Sequence, residues 1–147
     1  MLRLATLDDI PRMVELGRAM HAESPVFAGM SFDADRLAGT ARLAIESPHG
    51  FAAVAEREGV VIGGLMAMAT PHYFSRDLVA CDLALFIDSQ YRGGMAAPRL
   101  IGAYAEWARG VGAAKILLAS MAGINSDVLE ALCLRLGGRR AGVVMEF

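Results

Sequence analysis

A polar, glycine-containing turn holds the residues of this chain that are best suited to bind an anion. Residues 88–94 read Asp-Ser-Gln-Tyr-Arg-Gly-Gly, after the apolar run 79–87 and before a segment with helical spacing at 95–109. The first N–H groups of a helix lack partners inside the helix, and the helix dipole adds partial positive charge there. Because Gly93 and Gly94 lack Cβ atoms, a phosphate can approach the backbone closely. The turn therefore predicts a phosphate-bearing ligand.

Two common nucleotide-binding patterns are absent from this turn. A nucleoside-triphosphate loop requires Lys followed by Ser or Thr after its last glycine, and residues 94–98 read Gly-Met-Ala-Ala-Pro. A dinucleotide-binding turn requires G-x-G-x-x-G, which residues 93–98 do not supply. The phosphate-bearing ligand is therefore expected to be of another kind.

Asp82 is the best candidate for a general base. It interrupts the apolar strand predicted at 79–87, and burial there would raise the pKa of a carboxylate toward a range useful for proton transfer. An Asp82 that only faces solvent or caps a strand bulge is an equally good interpretation. No His, Cys and carboxylate set has metal-ligand spacing, so no metal is expected, and no Ser-His-Asp arrangement is recognisable.

Length, charge and composition restrict the class of protein. The chain has 147 residues, about one domain, so residues 1–147 are predicted to form a single domain. Although 55% of the residues are hydrophobic, the longest apolar runs are far shorter than the roughly 18 residues that span a bilayer. A net charge of −2 offers no electrostatic reason to expect nucleic acid or an anionic membrane as a partner.

The cysteines and the first residues favour a cytoplasmic protein. Cys81 and Cys133 lie in apolar segments without C-x-x-C spacing, which indicates free thiols in a reducing compartment. Asp8 and Asp9 stand where a signal peptide would need apolar residues.

Periodicity and turn signals predict the order β-α-α-β-β-β-α-β-α-β. A capping box at Thr6 and Asp9 opens the first helix. The Glu58-Gly59 turn joins two strands into an antiparallel hairpin. The predicted strands are 2–5, 51–56, 60–70, 79–87, 114–120 and 142–147, and the later helices are 33–45, 95–109 and 125–136.

The turn and the C-terminal helix resemble the GNAT superfamily of acyl-CoA N-acyltransferases. Residues 90–96, Gln-Tyr-Arg-Gly-Gly-Met-Ala, are similar to its [R/Q]-x-x-G-x-[G/A] pyrophosphate loop. Read from Gln90, Gly93 fits and Met95 stands where Gly or Ala is usual; read from Tyr91, the later positions fit but the first does not. The register from Gln90 is preferred. Residues 131–138, Ala-Leu-Cys-Leu-Arg-Leu-Gly-Gly, resemble the family's A-L-Y-x-x-L-G-F ending.

The resemblance extends over essentially the whole chain and implies an α/β fold. That fold is a GNAT-like mixed, mostly antiparallel central sheet of about six to seven strands, flanked by four helices. It also implies an N-acetyltransferase that transfers the acetyl group of acetyl-CoA directly to an amine. The alternative is a catalytically idle GNAT-like module that binds CoA for regulation or assembly.

By the same resemblance, acetyl-CoA lies between the fourth and fifth strands. The residues implied in binding it are Leu85, Phe86 and Ile87 on the strand, Gln90, Arg92, Gly93, Gly94, Met95 and Ala96 in the turn, and Asn125 at the last helix.

The position that holds an acidic Tyr in many family members is occupied here by Cys133. A thiol can donate a proton to the CoA sulfur, so the candidate catalytic pair is Asp82 and Cys133. Cys133 also fits the apolar stripe of its helix, and core packing is the favoured interpretation.

The acceptor is expected at two connections, residues 22–32 and 71–77. Their mixture of acidic and aromatic residues suits a small-molecule or peptide amine. Association into a homodimer is left open.

Overall fold

The computed structural model describes residues 1–147, which form five β-strands and four α-helices. In chain order these are β1 (Leu2–Leu4), α1 (Ile10–Glu23), α2 (Ala34–Glu46), β2 (Gly50–Arg57), β3 (Val60–Pro71), β4 (Leu78–Ile87), α3 (Ala96–Gly110), β5 (Lys115–Leu117) and α4 (Ser126–Arg135). Two short 3-10 helices lie at Leu7–Asp9 and Ser89–Tyr91.

The strands form one sheet in which spatial order follows chain order, β1-β2-β3-β4-β5. Every pair from β1 to β4 is antiparallel, whereas β5 runs parallel to β4. The α/β class, the four helices and the mostly antiparallel sheet are therefore confirmed.

Local signals set the ends of several elements. Both residues of the Glu58-Gly59 turn have positive φ, 54° and 79°, as the type I′ turn of a two-residue hairpin loop requires. The Asp33 side chain accepts a hydrogen bond from the Arg36 backbone N–H at 3.0 Å and so caps α2. The Thr6 backbone N–H donates to the Asp9 carboxylate at 2.7 Å, which confirms the predicted capping box.

The sheet is covered on both faces. Alternate residues of β2 point to opposite sides, so Phe51, Ala53 and Ala55 pack with α3, whereas Ala52 and Val54 pack with α1 and α2. Both clusters contain fully buried side chains. No helix combines the length and the apolar character needed to cross a membrane.

The prediction of six to seven strands is wrong, because the sheet has five. The segment predicted as a C-terminal strand, residues 142–147, has no regular secondary structure, and Val143 and Phe147 are fully or almost fully exposed. An apolar run becomes a strand only when a neighbouring strand takes its backbone hydrogen bonds, and none lies beside this segment. The fifth strand is also shorter than predicted, covering Lys115–Leu117 only.

Candidate active site

A fork between β4 and β5 forms the centre of the site. The two strands pair only from Val79 to Cys81 with Lys115 to Leu117, and β4 then continues to Ile87 paired with β3 alone. Along that stretch no strand occupies the β5 side of β4, so its outward backbone groups are open to a ligand.

A β-bulge lies on β4 immediately beyond the fork. Asp82 pairs with Ala67 and Ala84 pairs with Met66, so Leu83 has no partner on β3. The Leu83 side chain is 46% exposed. Bulges bend a strand and redirect side chains, and they are frequent next to active sites.

The fork opens into a cleft of about 340 Å³ that is mostly apolar. One wall comes from β4 and the opposite one from residues 119–125 after β5, and the others come from the turn before α3, from α4 and from the end of α1 with the loop that follows it. The lining residues are Met20, Phe27, Asp82, Leu83, Ala84, Leu85, Phe86, Ile87, Tyr91, Arg92, Gly93, Gly94, Ala97, Ala119, Ser120, Met121, Ala122, Ile124, Asn125, Val128, Leu129 and Leu132. Only Asp82 and Arg92 in this set carry charge.

The turn at the mouth of the cleft presents free backbone donors. Gly93 has φ +81°, a left-handed conformation that L side chains rarely adopt. The first hydrogen bond at the start of α3 runs from the Arg99 N–H to the Met95 carbonyl. The N–H groups of Ala96 and Ala97 therefore lack helical acceptors, and such groups at a helix start favour an anion.

Arg92 adds a positive charge beside these donors. Its Nε donates to the Ile87 carbonyl at 3.2 Å, which ties the guanidinium to the end of β4. Its two terminal nitrogens donate to the two carboxylate oxygens of Glu23, at 2.5 and 2.6 Å.

Asp82 lies at the vertex of the fork, and its Oδ1 accepts a hydrogen bond from the Ala119 backbone N–H at 2.8 Å. Burial raises the pKa of Asp82, although the hydrogen bond from Ala119 opposes that shift. The Tyr104 hydroxyl donates to the Leu117 carbonyl at 2.7 Å, and burial raises its pKa well above that of a free phenol. Asp82 is the one carboxylate among the residues that line the cleft, and burial makes it a better proton acceptor than an exposed carboxylate.

Cys133 is half-buried on α4 and packs against the core cluster under α3. Leu129 and Leu132 from the same helix line the cleft, whereas Cys133 is not among the lining residues. Burial and, to a smaller degree, the charge of Asp82 raise the pKa of its thiol, so it is protonated at neutral pH.

Asn125 lies directly before α4 with φ 49° and ψ 40°, a left-handed conformation that Asn tolerates better than most residues. Its side chain does not cap the helix, and it lines the cleft. The amide therefore remains available to a ligand.

The cleft brings together most of the predicted site residues: Asp82, Leu85, Phe86, Ile87, Arg92, Gly93, Gly94 and Asn125. Three others, Gln90, Met95 and Ala96, line a second cavity of about 330 Å³ beside the same turn.

Sequence reasoning missed Ala97 on the turn side of the cleft and residues 119–122 opposite β4. The loop pattern read from Arg92 would end at Ala97, but it fails at Met95, where Gly is required, so the sequence contains no signal for that residue. Of the predicted acceptor aromatics, Phe27 lines the cleft, whereas Tyr73 and Phe74 are 84% and 81% exposed and lie outside it.

Solved structures of similar fold include several acetyltransferases. The aminoglycoside N-acetyltransferase AAC(6')-Iy in complex with CoA shares 16% identity, covering 100% of this chain and 92% of its own, with a TM-score of 0.78. The aminoglycoside acetyltransferase meta-AAC0020 from an uncultured soil metagenomic sample, in complex with sisomicin, shares 18% identity. The match covers 100% of this chain and 94% of the other, with a TM-score of 0.71. A transcriptional regulator from Bacillus halodurans C-125 shares 21% identity, and the match covers 100% of this chain and 99% of the other, with a TM-score of 0.74. These identities establish likeness of fold alone.

No curated protein matches this chain. Residues 14–132 match the family described as "Acetyltransferase (GNAT) family", a range that holds the fork, the turn before α3 and most of α4. The chain belongs to the GNAT acetyltransferase family.

Proposed function

We propose that residues 1–147 form a single acyltransferase domain that transfers the acetyl group of acetyl-CoA to an amine. The observation that carries this proposal is the fork between β4 and β5, because it joins an open strand edge to an anion-binding turn. A linear ligand with an amide-bearing arm and a pyrophosphate fits that combination. The CoA bound in AAC(6')-Iy, a protein of the same fold, supports the same assignment.

In this arrangement the pantetheine arm lies along Leu85 to Ile87, and its amides pair with the open edge of β4. The pyrophosphate lies at the turn, where Gly93 and Gly94 leave room and the N–H groups of Ala96 and Ala97 are free. Arg92 contributes a charge-assisted contact, and Asn125 a side-chain amide at the opposite wall.

The amine attacks the thioester carbonyl directly, so no nucleophile from the protein is required. Backbone N–H groups near the Leu83 bulge stabilise the tetrahedral oxyanion. Asp82 accepts the proton of the amine, a role that its raised pKa favours. The tetrahedral intermediate then collapses: its C–S bond breaks, the acetyl group stays on the amine nitrogen, and CoA leaves as a thiolate that takes a proton from solvent. Holding the two reactants in one cleft supplies much of the remaining acceleration.

The lining of the cleft favours a small amine with an apolar body. Met20, Phe27, Leu83 and Met121 all line the cleft. The sequence offers Glu23, Asp33 and Asp77 for attracting a cation, and all three have partners here: Glu23 pairs with Arg92, Asp33 caps α2 and Asp77 accepts from Ser75. An aminoglycoside with several ammonium groups would find few partners here.

An acceptor screen that detects release of the CoA thiol tests this function. Primary amines with apolar side chains, amino acids, peptides and an aminoglycoside should each be offered with acetyl-CoA. We expect turnover above the uncatalysed rate with at least one apolar amine, and weaker turnover with the aminoglycoside. Absence of acetyl-CoA binding at millimolar concentration would refute the proposal.

A CoA-binding module without catalysis is the second candidate. It is favoured by Cys133, which replaces the family's usual Tyr and lies outside the cleft lining, and by the structural likeness to a transcriptional regulator. Thermal stabilisation by acetyl-CoA without thiol release on any acceptor would support this candidate, and measurable turnover would exclude it.

A further inference from the structure

An ion pair spans the two sides of the cleft mouth. Glu23 is the last residue of α1, and Arg92 follows the short 3-10 helix before α3. The two side chains form a bidentate pair at 2.5 and 2.6 Å, and they are separated by 69 residues in the chain. Their side chains are 42% and 25% exposed; Arg92 lines the cleft, and Glu23 lies directly beside it through this pair.

Arg92 provides the hydrogen bonds that hold the Glu23 carboxylate. A negative charge at the C-terminal end of a helix is unfavourable, because the helix dipole places partial negative charge there. The hydrogen bonds from Arg92 lower the pKa of Glu23 and keep it ionised. Without Arg92, Glu23 would be a partly exposed carboxylate free to pair with another cation.

The same guanidinium lies beside the proposed pyrophosphate position. Its Nε is committed to the Ile87 carbonyl, so only the two terminal nitrogens can reach a phosphate, and both now face Glu23. A pyrophosphate next to Gly93 would also bring two negative charges toward the Glu23 carboxylate. One N–H of each terminal nitrogen stays free, but these two do not form a second bidentate fork, so Arg92 cannot offer such a fork to both anions.

We propose that Glu23 and the pyrophosphate of CoA compete for Arg92, so that cofactor binding releases Glu23 to attract the cationic acceptor into the cleft, before Asp82 accepts its proton. This inference rests on the proposed function. Met20 and Phe27, three residues before and four residues after Glu23, both line the cleft. The released carboxylate therefore lies next to the apolar residues assigned to the acceptor.

Calorimetry with Glu23→Gln tests the competition. Glu46→Gln is the matched control, because Glu46 forms an exposed pair with Arg42 on α2, outside the cleft. Removing the competing charge should tighten CoA binding by about twofold to fivefold, the upper part of the range of a partly exposed ion pair. Pantetheine, which lacks phosphate, should bind both variants as it binds the unmodified protein. Glu23→Ala provides the same comparison should the Gln variant misfold.

Binding of phenethylamine, a primary amine that is cationic at neutral pH and has an apolar body, tests the role proposed for the released Glu23. We expect the unmodified protein to bind it at least about fivefold more tightly when saturated with CoA, and Glu23→Gln to lose that coupling. Equal binding with and without CoA, or no binding, would overturn the assignment of Glu23 as the acceptor's cation site. An unmodified protein that fails to bind CoA would refute the proposed function itself. CoA binding that is unchanged or weaker in Glu23→Gln would overturn only the competition.

Discussion

The carboxylate of Asp82 accepts a hydrogen bond from the backbone N–H of Ala119 at 2.8 Å, across the point where β4 and β5 separate. In a continued sheet that N–H would be expected to bond to a neighbouring strand. The side chain takes its place, so β5 ends at Leu117 and the cleft opens. One residue therefore holds the fork open and carries the candidate base.

Asp82→Asn separates these two roles. The amide oxygen of Asn can still accept a hydrogen bond from Ala119, so the fork and the affinity for CoA should persist. In contrast, kcat should fall by a factor of about 10²–10⁴, the usual contribution of general base catalysis.

Because burial raises the pKa of Asp82, the ionised form destabilises the folded state as pH rises through that pKa. We therefore expect Asp82→Asn to be at least as stable as the unmodified protein at pH 7, as measured by thermal unfolding.

The pH profile provides an independent check. Activity of the unmodified protein should fall as pH drops through the raised pKa of Asp82, because the protonated acid cannot accept the proton of the amine. Full activity of Asp82→Asn would show that the amine loses its proton to water or binds already neutral.

Gly93→Val should weaken acetyl-CoA binding at least about tenfold, because charge-assisted hydrogen bonds to the phosphate are worth roughly 1.5–3 kcal/mol each. A Cβ at Gly93 meets nothing within 4 Å, so the substitution affects the ligand and the backbone, not the packing. The φ of +81° adds strain, which requires a control.

Gly112→Val is that control. Gly112 has φ +77° and equally open surroundings, but it lies after the C-terminal end of α3. Both variants should lose similar stability, and only Gly93→Val should lose affinity in calorimetry. Equal affinity in the two variants would place the pyrophosphate elsewhere.

Cys133→Ser should be mainly destabilising, because a hydroxyl replaces a half-buried thiol in an apolar layer. Its kcat should change far less than the about hundredfold that loss of a general acid produces. Cys133→Tyr would restore the family's usual acid if α4 accommodates the ring. An inactive but folded Cys133→Ser would reverse the roles proposed for Asp82 and Cys133.

The ion pair between Arg3 and Asp9 is expected to make an acid-sensitive contribution to the free energy of unfolding. Hydrogen bonds from Arg3, at 2.7 and 2.8 Å, outweigh burial and lower the pKa of Asp9 from 3.8 to about 2. This contribution is fully present above pH 3.8 and is lost as pH falls through about 2. Asp9→Asn should therefore lower the free energy of unfolding by about 2 kcal/mol at pH 7.

Urea unfolding at pH 7 and near pH 2 measures that difference, which should shrink at the lower pH. Asp8→Asn, at an exposed neighbouring carboxylate, should change the free energy of unfolding by less than about 0.5 kcal/mol at pH 7. If Asp9→Asn is destabilised by the same free energy at both pH values, the loss comes from altered hydrogen bonding or packing and not from the charge of Asp9.

Features that depend on neighbouring residues were predictable from the sequence. Alternation and helical spacing predicted β4 and α3, and Glu58-Gly59 and Asp33 predicted a turn and a helix start. The glycine turn lies between β4 and α3 as expected, because its short-range hydrogen bonds and the left-handed Gly93 are properties of the local chain.

The fork, the pairing of Glu23 with Arg92, and the position of Cys133 were decided by the tertiary structure. Asp82 and Ala119 are 37 residues apart, and no local pattern predicts that a carboxylate will take a hydrogen bond from the backbone there. The same limit explains the wrong strand at 142–147, because a strand exists only where a second strand pairs with it. Sequence alone determined which elements can form; contacts between distant residues decided where the sheet opens and which side chains face the cleft.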